Sequence, residues 1–93
     1  MADQQAIAAT VTGRVQGVGY RYSVLNVAKE LGLAGWVRNA PDGSVETLAQ
    51  GNERVLDRFV VFLRQGPWAA RVDAVDVRSV EIDAALSGFT VRS

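Results

Sequence analysis

Residues Gly13–Arg21 read GRVQGVGYR: three glycines and one arginine placed where an alternating, strand-like run gives way to a helical pattern. These types at this spacing suit a cradle for a small anion. Gly17 and Gly19 can take positive φ at little steric cost and turn backbone N–H groups inward. The helix that follows presents its own unbonded N–H groups and the positive end of its dipole. Arg21 would close the site as a planar fork able to bind two oxygens at once. On local grounds alone other readings stay open: Arg21 could be a solvated charge in a first helical turn, and the glycines could serve only a tight strand-to-helix turn.

The composition narrows the chemistry. The chain has no histidine and no cysteine, which excludes Ser-His and Cys-His nucleophiles and the usual histidine-rich metal sites. A cysteine-phosphatase loop also runs through glycines to an arginine, but it needs its thiolate. Glycines at 13, 17 and 19 followed by Tyr20-Arg21 fit neither the dinucleotide fingerprint nor the P-loop, which requires Gly-Lys-Ser/Thr after its last glycine. What remains is a reaction that depends on positioning and charge stabilisation with little proton transfer. Phosphoryl transfer through a loose transition state is of this kind when the leaving group is already good. A carboxylate, whose conjugate acid has a pKa of about 4, leaves without a general acid. The physically natural substrate is an acyl phosphate, the mixed anhydride of a carboxylic acid and phosphate.

The elements that must hold this site can be read from periodicity. Ile7, Ala9 and Val11 alternate with Ala8, Thr10 and Thr12, a period of two that predicts a first strand running into the glycine loop. From Tyr20 the period changes: Tyr20, Val24, Val27, Ala28 and Leu31 share a helical face, with Gly32 and Leu33 placed to end it. Gly35–Asn39 and Ser44–Gln50 are strand-like runs around Ala40-Pro41-Asp42-Gly43, a hairpin turn. Asn52 is a good N-cap for a second helix with Val55, Leu56, Phe59, Val60 and Leu63 on one face, closed by Gly66-Pro67. A loop is expected from Trp68 to Ala74. Val75 and Val77 then fall in one phase and Val80 and Ile82 in the other, which predicts a bulge near Arg78-Ser79. Phe89-Thr90-Val91 can add a short last strand. The order βαββαβ plus that piece predicts an α+β, ferredoxin-like sandwich: an antiparallel sheet with two helices on one face.

That topology builds a site. A strand, a crossover helix and a second strand in one sheet run parallel, so the first two strands end at the same sheet edge with the third between them. The glycine loop and Asn39 should therefore meet across one intervening strand, about 10 Å apart by the ordinary strand spacing. An arginine from one side and an amide from the other can reach into such a gap, with room for a phosphate and one water. Locally, Asn39 is equally well read as a residue opening the hairpin turn; the shared edge tips the balance. Tyr20, Tyr22, Trp36 and Trp68 are read as packing residues, and Arg14 and Arg38 as solvated charges.

The chain has 93 residues, 48% of them hydrophobic, with ten basic and ten acidic side chains. This suits one domain over residues 1–93 that buries roughly 60% of its unfolded surface. Zero formal net charge removes the broad field that marks nucleic-acid or anionic-membrane binding, whereas a small anion needs only a local positive site. Sheet-face aromatics in the pattern an RNA-binding sheet requires are also missing. No signal-like N-terminus and no apolar run of membrane-spanning length is evident, and the lack of cysteine is compatible with a reducing, cytoplasmic setting.

GRVQGVGYR, then GWVRNAPDGSVETLAQG, then Gly66-Pro67 with Ala70, Val72 and Val75 resembles the acylphosphatase family over nearly the whole chain, from Ile7 to Phe89. The two longer segments match that family's two signature patterns without a gap. The resemblance implies hydrolysis of acyl phosphates to carboxylate and inorganic phosphate by a monomer, without cofactor or metal. By the same resemblance Arg21 is the substrate-binding and catalytic arginine, Asn39 orients the attacking water, and the backbone of Gln16, Gly17, Val18, Gly19 and Tyr20 forms the phosphate-binding loop. Inorganic phosphate should then compete with substrate. Tyr20 stands where phenylalanine is frequent in the family. The competing reading is a non-catalytic anion-binding module on the same fold, which would keep the cradle and lack turnover.

Overall fold

The computed structural model describes residues 4–93. Its elements are β1 (Gln4–Arg14), α1 (Tyr20–Glu30), β2 (Ala34–Asn39), β3 (Val45–Asn52), α2 (Glu53–Gln65), β4 (Arg71–Val80) and β5 (Phe89–Arg92). The five strands form one sheet in the order β4-β1-β3-β2-β5. As expected from the crossover rule, β3 lies between β1 and β2 and pairs antiparallel with both.

Alternation along the strands divides the sheet into two faces. Ala9 and Val11 of β1, Val37 of β2, Val45 and Ala49 of β3 and Phe89 of β5 are buried with Tyr20, Val24 and Ala28 of α1 and Leu56, Phe59 and Leu63 of α2. Every one of those strand residues lies at an odd position, so both helices cover one face, as period-two pleating requires. Phe59 and Phe89 meet edge to face, with centroids 6.0 Å apart, a geometry the ring quadrupoles favour. The other face carries no helix. There Trp36 sits beneath the guanidinium groups of Arg92 and Arg38, 4.8 and 5.9 Å from its ring centroid.

The helix ends follow their sequence signals. Asn52 accepts the Val55 N–H at 3.0 Å, a cap that contributes about 1 kcal/mol. At the end of α1 the Leu33 N–H bonds to the Ala28 carbonyl and the Gly32 N–H to that of Lys29, the paired closure of a Schellman motif.

Three expectations are corrected. The sheet is mixed, because β5 pairs parallel with β2. β4 runs antiparallel to β1 and finishes at the sheet end where β2 begins, so the connection over residues 81–88 delivers β5 to the far edge running in the direction of β2. Gln50 holds that connection: its side chain donates to the Asp83 carbonyl and accepts the Asp83 N–H, both at 3.0 Å.

The register shift lies between Thr12 and Gly13, opposite Asp73, and pairing is continuous at Arg78-Ser79. Val72, Val75 and Val77 all pack against the core, so the change of phase among the valines falls at Asp73. Val80, paired with Ala6, points to the helix-free face. Close approach explains the position: a Cβ on Gly13 would run into the Arg71 carbonyl oxygen. Finally, the strand after α2 begins at Arg71 and the loop before it is correspondingly short, because pairing with the end of β1 extends it.

Candidate active site

β1 and β2 end at one edge of the sheet, and the segment after each closes over the gap between them. A cleft of about 220 Å³ lies there, lined by Val15, Gly17, Gly19, Tyr20, Arg21, Tyr22 and Asn39. The two segments that the sequence sets far apart therefore contribute to one concavity.

The glycine loop is anchored from below. Val15 is buried, and Val18 packs against the core. Gly17 and Gly19 have φ of 75° and 80°, and a Cβ on either would meet nothing. Their requirement is thus conformational, a left-handed backbone that a side chain resists. Gly19 is the N-cap of α1 and offers no side chain to cap it; the first turn holds no acidic residue. The first intrahelical bond runs from the Ser23 N–H to the Gly19 carbonyl at 3.1 Å, so the N–H groups of Tyr20, Arg21 and Tyr22 precede the helical ladder. In α2 the corresponding positions are served by Asn52 and Glu53. One helix of this protein is capped by its own residues and the other opens onto the cleft.

Arg21 is half-buried, and among the described residues it enters no ion pair. Among the described residues no acidic side chain lines the cleft, so the local potential is positive although the chain as a whole is neutral. Arg38, the other cation near the end of β2, is held on the helix-free face by Glu46, Nε to Oε1 at 2.7 Å, and takes no part.

Asn39 is half-buried, and its Oδ1 is buried without a hydrogen-bond partner. The residue itself lines the cleft, so its carboxamide is available at the wall as a polar group for a molecule that enters. Among the described residues, no three or more histidine, cysteine, aspartate or glutamate side chains cluster as a metal site would need. No helix among the described residues is long and apolar enough to cross a membrane.

Of the seven residues singled out from the sequence, Arg21, Asn39, Gly17, Gly19 and Tyr20 line the cleft, while Gln16 and Val18 do not. The Gln16 side chain turns instead to the hairpin, donating from Nε2 to the carbonyls of Ala40 and Ser44 at 2.8 and 2.9 Å. Tyr20 is a buried packing residue whose hydroxyl donates to the Leu63 carbonyl at 2.7 Å; burial raises its phenolic pKa well above the usual range. Tyr22 was read as packing, but it is exposed and lines the cleft, and Trp68 is almost wholly exposed. The spacing of two between Tyr20 and Tyr22 on a helix is the available signal, since residues two apart point to different faces.

Residues 7–91 match the family model described as Acylphosphatase. Among curated proteins, the acylphosphatase of Thermus thermophilus is 51% identical over 85 residues, 91% of this chain and 96% of that one. Among solved structures, the acylphosphatase from Bacillus subtilis superposes with a TM-score of 0.92 at 37% identity, covering 96% of this chain and 99% of its own. The acylphosphatase from Coxiella burnetii superposes at 0.91 and 38%, covering 97% and 94%.

Proposed function

Because the chain belongs to the acylphosphatase family, we propose that it hydrolyses acyl phosphates in the cleft between the glycine loop and Asn39, with Arg21 and Asn39 carrying the chemistry. The phosphoryl group is held by N–H groups of the loop and of the first turn of α1, and by the guanidinium of Arg21. These donors stand in place before substrate arrives, so they stabilise charge on the phosphoryl oxygens without reorganising during the reaction. The leaving carboxylate needs no proton. A water held by the Asn39 carboxamide keeps a lone pair free to attack phosphorus on the side opposite that carboxylate.

The balance closes without a protein base. The acyl phosphate dianion and one water give a carboxylate and dihydrogen phosphate, the water placing its oxygen on phosphorus and one of its protons on a phosphoryl oxygen. An active site without histidine, cysteine or a lining carboxylate suits a reaction with this proton inventory. No step of it calls on a metal or cofactor, and residues 1–93 are read as a single domain.

The observation that carries the reading is that Asn39 and Arg21 line one cleft with the glycine loop, Arg21 entering no ion pair among the described residues. Steady-state hydrolysis of benzoyl phosphate, run with a chelator present, tests it. Inorganic phosphate is expected to inhibit competitively. Asn39→Ala should lower kcat while KM and the inhibition constant for phosphate stay within about threefold, since the phosphate contacts survive. An Asn39→Ala enzyme turning over at the parent rate would remove the water-positioning role, and a chain that binds phosphate but never turns over would favour an anion sensor.

A further inference from the structure

We infer that Gln16 is a positioning residue: its carboxamide sets where Asn39 stands relative to the phosphate loop, and so governs turnover without contacting phosphate. The inference rests on the reading of Arg21 and Asn39 given above. Gln16 Nε2 uses both of its N–H groups on the hairpin turn, bonding to the carbonyls of Ala40 and Ser44 at 2.8 and 2.9 Å. Ala40 directly follows Asn39, and its carbonyl belongs to the peptide one residue beyond, so a donor on it fixes the backbone that carries Asn39 into the turn.

The turn does not need Gln16 in order to form. The Ala40 N–H bonds to the Ser44 carbonyl at 2.8 Å, and the Gly43 N–H to the Ala40 carbonyl at 3.1 Å. The Ser44 N–H and hydroxyl both donate to Asp42 Oδ1, at 2.9 and 2.6 Å. Each carbonyl that Gln16 meets already has a backbone donor, and Gln16 occupies the second acceptor position. What the carboxamide adds is a link between two otherwise self-contained pieces.

Few other links span that distance. β1 pairs with β3 only as far as Val11, opposite Val45; beyond it, β1 pairs with β4 alone. Among the described residues, the Gln16 carboxamide makes the side-chain hydrogen bonds that join the glycine loop to the turn after Asn39. The phosphate donors all belong to the β1–α1 connection and its arginine, and none of them crosses to the hairpin. Loosening the link therefore leaves the phosphate cradle intact as a set and shifts only the amide that steadies the water. Misplacing a reacting group by about 1 Å can cost about 100-fold in rate.

The test uses Gln16→Met, which keeps the length of the side chain and removes the donor, in the parent and in an Asn39→Ala background. In the parent, kcat for benzoyl phosphate is expected to fall by about tenfold or more, with the phosphate inhibition constant unchanged within about twofold. In the Asn39→Ala background the same substitution should be silent, because there is no longer an amide to place.

Gln16→Glu gives a second reading should the methionine variant fold poorly. Its ionised carboxylate cannot donate to two carbonyls; its protonated form can donate to one. The ratio of its kcat to the parent's should rise as pH falls from about 7 to about 5. Asp42 on the turn and the two carbonyl oxygens favour protonation, and Arg21 in the cleft opposes it. An equal loss in both backgrounds overturns the inference, as does a matching rise in the phosphate inhibition constant, which would make Gln16 a ligand. If Asn39→Ala itself runs at the parent rate, the site reading fails and this inference with it; if Asn39→Ala is impaired and the Gln16→Met loss is additive, the inference fails alone.

Discussion

Replacing Arg21 by alanine removes the one cation that lines the cleft among the described residues. The bond count sets the size of the effect. A guanidinium clamping a phosphoryl group makes two charge-assisted hydrogen bonds, each worth about 1.5–3 kcal/mol. Arg21 is half-buried, so solvent weakens the pair and the lower part of the range applies, about 3–4 kcal/mol in all. At about 1.4 kcal/mol per decade, kcat/KM should fall by about 100- to 1,000-fold.

The loop and first-turn N–H groups remain in Arg21→Ala, so phosphate binding should weaken without vanishing. Since Arg21 enters no ion pair among the described residues, its removal should leave stability within about 0.5 kcal/mol of the parent. Arg21→Lys, which keeps the charge and loses the fork, should fall between the two. Initial rates with benzoyl phosphate, the competitive constant for inorganic phosphate and a thermal melt on the same preparations decide the matter. A variant within threefold of the parent in kcat/KM, with an unchanged melt, would refute the assignment; a lowered melt would show that Arg21 serves the fold instead.

Two further outcomes concern the scaffold. Tyr20→Phe deletes the hydroxyl that serves the Leu63 carbonyl, one of the last-turn acceptors of α2 left without a helical donor. It should cost about 1–2 kcal/mol and lower Tm by about 5–10 °C, with kcat/KM nearly unchanged. Because burial raises the folded-state pKa of Tyr20, the parent keeps its advantage over the phenylalanine variant below pH of about 10 and loses it as pH climbs further. Equal melting temperatures at neutral pH would contradict the role of that bond. Asp42 shows the opposite sign: the Ser44 hydroxyl, and then the Ser44 N–H, hold its carboxyl below the usual aspartate range. That contribution is present above the unfolded pKa and lost as pH falls through the folded one. The difference in Tm between the parent and Asp42→Asn should therefore shrink between pH 7 and about pH 3; a constant difference would count against it.

Much of this architecture is legible without coordinates because it depends on neighbours along the chain. The switch from period two to period 3.6 at Tyr20, the cap at Asn52, the Gly32-Leu33 closure and the Pro41–Gly43 turn are short-range matters of sterics and hydrogen bonding. All of them appear in the fold. The arginine that follows the glycines is legible for the same reason, since a left-handed backbone and a helix start can be inferred from the residues that adopt them.

Features that depend on distant partners were hidden or misread. Valine phase places a register slip near Arg78-Ser79 because it reveals that a register slips but not which residue slips; the encounter of Gly13 with Arg71 decides that. The direction of β5 follows from the end of the sheet at which β4 stops. Tyr20 and Tyr22 are chemically alike and both line the cleft, yet Tyr20 is buried in the core and Tyr22 is exposed. Asn39 alone is a turn residue; it comes to line one cleft with Arg21 only once β3 lies between β1 and β2. Local residue types thus supplied the chemical groups of this molecule. Long-range pairing of strands, whose energy depends on both partners at once, determined which of those groups face one another.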